Sequence, residues 1–157
     1  MKKVQRWRYY CDFCTKAGMS GFHMKNHELA CTKNPARICK MCVKINEGPQ
    51  ASMDAMLALL PDPALCMKHY PEEDLGCDLG KLPARDEIDD AVIRERVAAA
   101  LPALRELTHH CPVCIMAAFR QRGIPLPLVD GFNFTEEMKE MFSAINEALA
   151  ERESYYY

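Results

Sequence analysis

The nine cysteines and five histidines of this 157-residue chain fall into groups. Cys11, Cys14, His23, His27 and Cys31 lie together in YYCDFCTKAGMSGFHMKNHELAC, residues 9–31. Cys39–Cys42 and Cys111–Cys114 are two further pairs, each with two residues between its cysteines. Cys66, His69 and Cys77 lie in CMKHYPEEDLGC. Thiolate sulfur and imidazole nitrogen are the donors that Zn²⁺ takes in tetrahedral sets of four. Two cysteines separated by two residues can turn both sulfurs toward one ion, so the spacing points to metal ligation.

The first group offers five candidates for four positions. Twelve residues separate Cys14 from His27 and three separate His27 from Cys31, giving Cys-x2-Cys-x12-His-x3-Cys. A cysteine pair on a hairpin turn then faces two ligands one helical turn apart. Pairing His23 with His27 would leave only eight residues after Cys14, so Cys11, Cys14, His27 and Cys31 are the expected ligands. Residues 9–31 resemble a zinc finger of the Cys-Cys-His-Cys variety, which implies a ββα module with Tyr9 on the aromatic core position. Two positions depart from that pattern: Gly18 stands where the family has an aromatic residue, and Met24 where it has leucine. Phe22, or packing against the rest of the chain, is expected to fill the small interior.

Cys39, Cys42, Cys111 and Cys114 supply a second complete set, so two Zn²⁺ per chain are expected. Cys111 and Cys114 precede the helical run IMAAFRQR, and a helix N-terminus lowers a thiol's pKa. The arrangement resembles a treble-clef or zinc-ribbon closure. With 68 residues between the pairs, it reads as a staple clamping the N-terminal region to the remainder. A redox CPVC motif is the rival reading, but the βαβ setting of thioredoxin-like motifs is missing. Cys66, His69 and Cys77 are candidates for a third site, with His109 or His110 as fourth ligand. His109 and His110 are otherwise candidates to support the thiolates, or to serve as catalytic residues of a zinc-supported nuclease. That nuclease class resembles a CxxC…CxxC frame with Asp-His or His-Asn clusters between the pairs, which this chain lacks. No carboxylate pair, nucleophile–base arrangement or phosphate loop is evident, so no catalytic residue is assigned.

The elements that position these residues read as mostly α, small α+β. An N-terminal ββα finger is joined to a helical body by the four-cysteine site. Two domains are expected: residues 1–31, a basic arm and finger, and 32–157, a zinc-stapled helical domain with a loop-rich stretch at 61–85. ASMDAMLALL (51–60) reads as a short helix stopped by Pro61 and Pro63. Residues 86–111 carry apolar residues at helical spacing (Ile93, Val97, Leu101, Leu104), with Pro102 expected to kink the helix or start another. A helix over 112–122 ends at Gly123. Thr135 is expected to cap a last helix with Met138, Met141, Phe142, Ile145 and Leu149 along one face. No strand pattern appears outside the finger.

Charge divides the chain. Residues 1–45 hold ten Lys/Arg against Asp12 and Glu28, a balance of +8, and the remainder holds ten against twenty, a balance of −10. A basic module on an acidic body is the footprint of a nucleic-acid-binding protein. In a DNA-reading finger the base-facing positions are Ser20, His23 and Asn26 here, all able to hydrogen-bond base edges. Arg6, Arg8, Lys16 and Lys25 are expected on phosphates with Lys2, Lys3 and Lys33, and Trp7 and Tyr10 interleave with them as stacking surfaces.

One finger covers about three base pairs, so weak specificity is expected, with DNA the expected nucleic acid. The alternative partner is a larger protein assembly or an oligomer joined through the Met-rich last helix. HHCPVCIMAAFRQRGIP and FNFTEEMKEMFSAINEA, together with the finger, resemble small zinc-binding proteins of phages and bacteria, which implies an accessory or virion protein. No apolar run reaches the ~18 residues of a membrane helix. MKKVQRWRYYC does not lead into a signal-peptide core. A cytoplasmic, reducing location is expected, where cysteines serve as ligands rather than disulfides.

Overall fold

A computed structural model describes residues 7–45, 50–74, 76 and 80–154. Among these described residues, six α-helices and three two-stranded antiparallel sheets make the chain mostly α with some β. β1 (Tyr9–Tyr10) pairs with β2 (Ala17–Gly18) in register Tyr9↔Gly18, and α1 (Gly21–Ala30) follows from Ser20, whose hydroxyl accepts the His23 N–H at 3.3 Å. This is the expected ββα unit. Its interior differs from expectation: Phe22 is 73% exposed, whereas Met24 is buried. Met24 Cε lies 3.5 Å from where a Cβ on Gly18 would sit, so the thioether extends into space that a side chain at 18 would take. Tyr9 lies over Gly21 yet stays 46% exposed.

The remaining helices are α2 (Lys40–Ile45), α3 (Met53–Leu59), α4 (Asp90–Leu107), α5 (Pro112–Arg122) and α6 (Phe134–Ser154). α5 is central: Cys114, Ile115, Met116, Ala117, Ala118 and Phe119 are all buried. Met53, Met56 and Leu60 around α3 pack against it, and Ile93, Val97, Leu101 and Leu104 along one stripe of α4 meet α3 and complete the same core. Pro112 at the first turn suits a helix start, where no intrahelical N–H bond is lost. Gly123 closes α5 at φ 76°, a left-handed conformation that glycine adopts without Cβ strain. α6 joins through Met141, and the turn before it through Phe132, whose ring meets Phe119 edge-on at 5.6 Å.

Three local expectations are corrected. α4 continues through Pro102 as one helix, and no second helix starts there. The lost bond would have gone to the Ala98 carbonyl, on an exposed side of the helix open to solvent. Asn133, not Thr135, caps α6: its Oδ1 accepts the N–H groups of Thr135 and Glu136 at 3.1 and 3.3 Å. The stretch read as loop at 61–85, and the start of the segment read as helix from 86, instead contain a β-ribbon. β3 (Met67–Tyr70) pairs with β6 (Arg85–Ile88), and β4 (Glu73–Asp74) with β5 (Lys81–Leu82). Tyr70↔Arg85 and Glu73↔Leu82 share one register, so the two sheets are a single hairpin interrupted where Pro71 and Pro83 remove ladder donors.

Candidate metal centres

Two clusters of metal-ligating side chains form among the described residues: Cys11, Cys14, His27 and Cys31, and Cys39, Cys42, Cys111 and Cys114. Within each, the donor atoms lie within 4.8 Å of one another. Each of the eight residues read from spacing is therefore brought to the group expected for it, and His23 is left out.

The finger cluster is built by a hairpin and a helix. The Cys11 N–H bonds Lys16 O at 2.9 Å and closes the turn carrying Cys11 and Cys14. His27 in the last turn of α1 and Cys31 at its C-cap stand one helical turn apart. Cys14 Sγ lies 3.2 Å from His27 Nε2. The Phe13 N–H donates to Cys11 Sγ and the Lys16 N–H to Cys14 Sγ, each at 3.4 Å. These donors stabilise thiolate charge: the Lys16 N–H above all, with help from His27 and against burial, lowers Cys14 to about 7. Burial pushes Cys11 up.

In the second cluster Cys39 precedes α2, Cys42 lies within it, Cys111 caps α5 and Cys114 lies in its first turn. Cys39 Sγ is 3.7 Å from Cys111 Sγ, and Cys42 Sγ is 3.5 Å from Cys114 Sγ. Zn–S bonds of about 2.3 Å at tetrahedral angles put sulfurs about 3.8 Å apart, whereas a disulfide needs about 2.05 Å. The cluster thus has the spacing of a tetrathiolate metal site, and all eight described cysteines are free thiols. All four thiols are at most 4% exposed. Hydrogen bonds from Cys111 and Cys114 draw Cys39 far below the ordinary thiol range. Burial and the Cys111 charge push Cys42 up to about 12. Hydrogen bonds to Cys114 and Cys39, with burial, drive Cys111 far above that range. Burial and mutual repulsion thus oppose several thiolates side by side here, and four need a cation among them.

Two residues that spacing did not reveal support this cluster. Arg37 is 4% exposed, and its Nη1 donates to Cys114 Sγ at 3.6 Å. Burial opposes its charge, but Cys114 and Cys39 more than offset that. Gln50 accepts the Cys39 N–H through Oε1 and donates to the Arg37 carbonyl at 3.2 Å, fixing the backbone on both sides of Ile38. An arginine two residues before a cysteine carries no signature in one sequence, and Gln50 sits in a stretch that reads as a turn.

The third site does not assemble among the described residues. Cys66 is buried in the apolar core, and His69 Nδ1 pairs with Asp86 Oδ1 at 2.7 Å across the ribbon. Cys77 lies outside the described residues. His109 and His110 are exposed, with positive φ of 49° and 57°. They border a groove against Arg105, Glu140 and Met141 rather than the thiolates.

Of the expected nucleic-acid contacts, Ser20 is engaged in capping α1, His23 is exposed and Asn26 is half-buried. Lys16 and Lys25 are exposed, as is Arg8, whose guanidinium lies 5.9 Å from the Tyr10 ring centroid. Arg6 lies outside the described residues. Among the described residues no helix is long and apolar enough to cross a membrane. Comparison with known protein families, with curated proteins and with solved structures gives no match.

Proposed function

We propose that the protein binds two Zn²⁺, one in each cluster, and that its N-terminal module binds nucleic acid, DNA foremost, with weak sequence preference. The supporting observation for binding is the make-up of the module's surface. Trp7 and Tyr10 are 82% and 65% exposed amid Arg8, Lys16 and Lys25, and the segment carries only two acids. The exposed aromatics offer stacking faces, the cations meet phosphates, and His23 and Asn26 on α1 offer hydrogen bonds to base edges.

Salt dependence tests this. With five to seven cations engaged, the slope of log K against log salt is expected at roughly −4 to −6, and neutralising Arg6 and Arg8 together flattens it by about two. Substitution of His23 or Asn26 changes sequence preference with little change in slope. Negligible affinity at about 150 mM salt, where non-specific binders still reach about 1 to 100 µM, refutes the reading.

The second reading is a structural subunit of a larger assembly, such as a virion. It is favoured by Phe142, 49% exposed on α6 beside half-buried Met138 and Met141. Under it, partner contacts are lost on changing those three residues while the protein ignores DNA.

A further inference from the structure

Arg37 is buried without a carboxylate partner, an arrangement that proteins avoid because an uncompensated charge away from water is costly. None of the ion pairs among the described residues includes it. Its Nη1 reaches Cys114 Sγ at 3.6 Å, its backbone stands two residues before Cys39, and its Nε is buried with no hydrogen-bond partner. Cys114 belongs to the α5 pair and Cys39 to the pair preceding it by 72 residues, so one residue joined by the chain to the first pair touches the second. We infer that Arg37 is the counter-charge of the four-cysteine metal centre, holding its two cysteine pairs together from outside the ligand set.

The charges argue for this in both directions. Four thiolates around a divalent ion carry a net charge of −2 inside an apolar core whose sulfurs are at most 4% exposed. Arg37 brings that to −1. The anionic centre in turn is what lets an arginine be buried there. A guanidinium is permanently charged and weakly hydrated, so its charge persists beside the sulfurs away from water. Gln50 fixes the Arg37 carbonyl and the Cys39 N–H, so the side chain departs from a backbone held against the site. By drawing charge from the sulfurs, Arg37 makes the thiolates weaker nucleophiles and slows loss of the metal.

The inference rests on the metal reading above, and the experiment separates the two. The full chain is loaded with Co²⁺, whose absorption distinguishes a four-sulfur site from a three-sulfur, one-nitrogen site. Absence of the four-sulfur spectrum in the wild type refutes the metal reading itself. Where it is present, its loss to a chelator and to iodoacetamide is timed in the wild type, R37K and R37M. Loss is expected about tenfold faster or more in R37M and within about threefold of wild type in R37K, which keeps the charge.

A merely structural role would not split the two variants. Equal acceleration in both overturns the charge assignment, as does no acceleration in either. Should R37M fail to fold, R37K decides: a rate near wild type upholds the inference and a tenfold acceleration overturns it.

Discussion

Removing either half of the second cluster is expected to have the same consequence, because one ion would serve both pairs. The perturbations are the double variants C39S/C42S and C111S/C114S. Besides this cluster, three hydrogen bonds tie α5 to the turn after the finger: Arg120 to Thr32 Oγ1 at 2.8 Å, and Gln121 to the carbonyls of Thr32 and Asn34 at 3.0 Å. At about 1 kcal/mol each they contribute about 3 kcal/mol. A structural zinc contributes an apparent 10 kcal/mol or more, comparable to the whole stability of a domain, about 5–15 kcal/mol. Each double variant should therefore lose the cooperative thermal transition of the helical body and one of two zinc ions, with limited proteolysis opening near residues 46–50.

Burying serine hydroxyls has its own cost, and Cys66 measures it. It is 3% exposed in the same core but belongs to neither cluster. C66S should keep both zinc ions and lose about 1–3 kcal/mol, a fall in Tm of several degrees. Calorimetry with elemental analysis reads all three variants. Two zinc ions retained in either double variant, or a wild-type Tm in one and collapse in the other, refutes a shared ion. A Cys111–Cys114 disulfide in protein prepared under reducing conditions would do so as well.

The finger offers sharper discriminations. H27A should release one zinc and lose the ordered signals of residues 9–31, while H23A keeps both ions; equal metal loss in the two would refute the ligand assignment. M24A should cost about 2–5 kcal/mol for a truncated core methionine, read as weakened zinc affinity of the finger by competition with a chelator. F22A should be neutral there, since that ring is largely in water; an inverted order would refute the core described for the finger. N133A should lower stability by about 0.5–2 kcal/mol through loss of the α6 cap, whereas T135A should be close to neutral in the same thermal melt.

How much of this was legible in the sequence follows from what each residue's environment demands. A tetrahedral ion accepts few donor types at few separations, so both ligand sets could be counted from the chain. The helices were legible where one stripe is buried, as with Ile93, Val97, Leu101 and Leu104 on α4. The ribbon was not, because Met67, Lys68 and His69 are exposed, as are Arg85, Asp86 and Glu87 opposite. With neither face buried, no alternation is imposed on the sequence. Phe22 misled because aromatic character suggests burial, whereas flexible Met24 reaches the gap beside Gly18.

Arg37 shows where counting charges along a chain goes astray. It contributes to the +8 of residues 1–45, yet it faces sulfur in the core and is closed to any phosphate. The surface of the basic segment is therefore one charge poorer than the sequence sum, and the expected salt slope belongs to Arg6, Arg8, Lys16, Lys25 and their neighbours. A slope that flattens on changing Arg8 but not on changing Arg37, in protein that still holds its four-sulfur metal, would separate the two uses of arginine in this segment. On the proposed reading, one neutralises thiolates inside the fold and the other meets phosphates outside it. If R37M, in protein shown by its spectrum to hold the four-sulfur metal, flattened the slope as much as loss of Arg8 does, the assignment of Arg37 to the metal centre would be wrong.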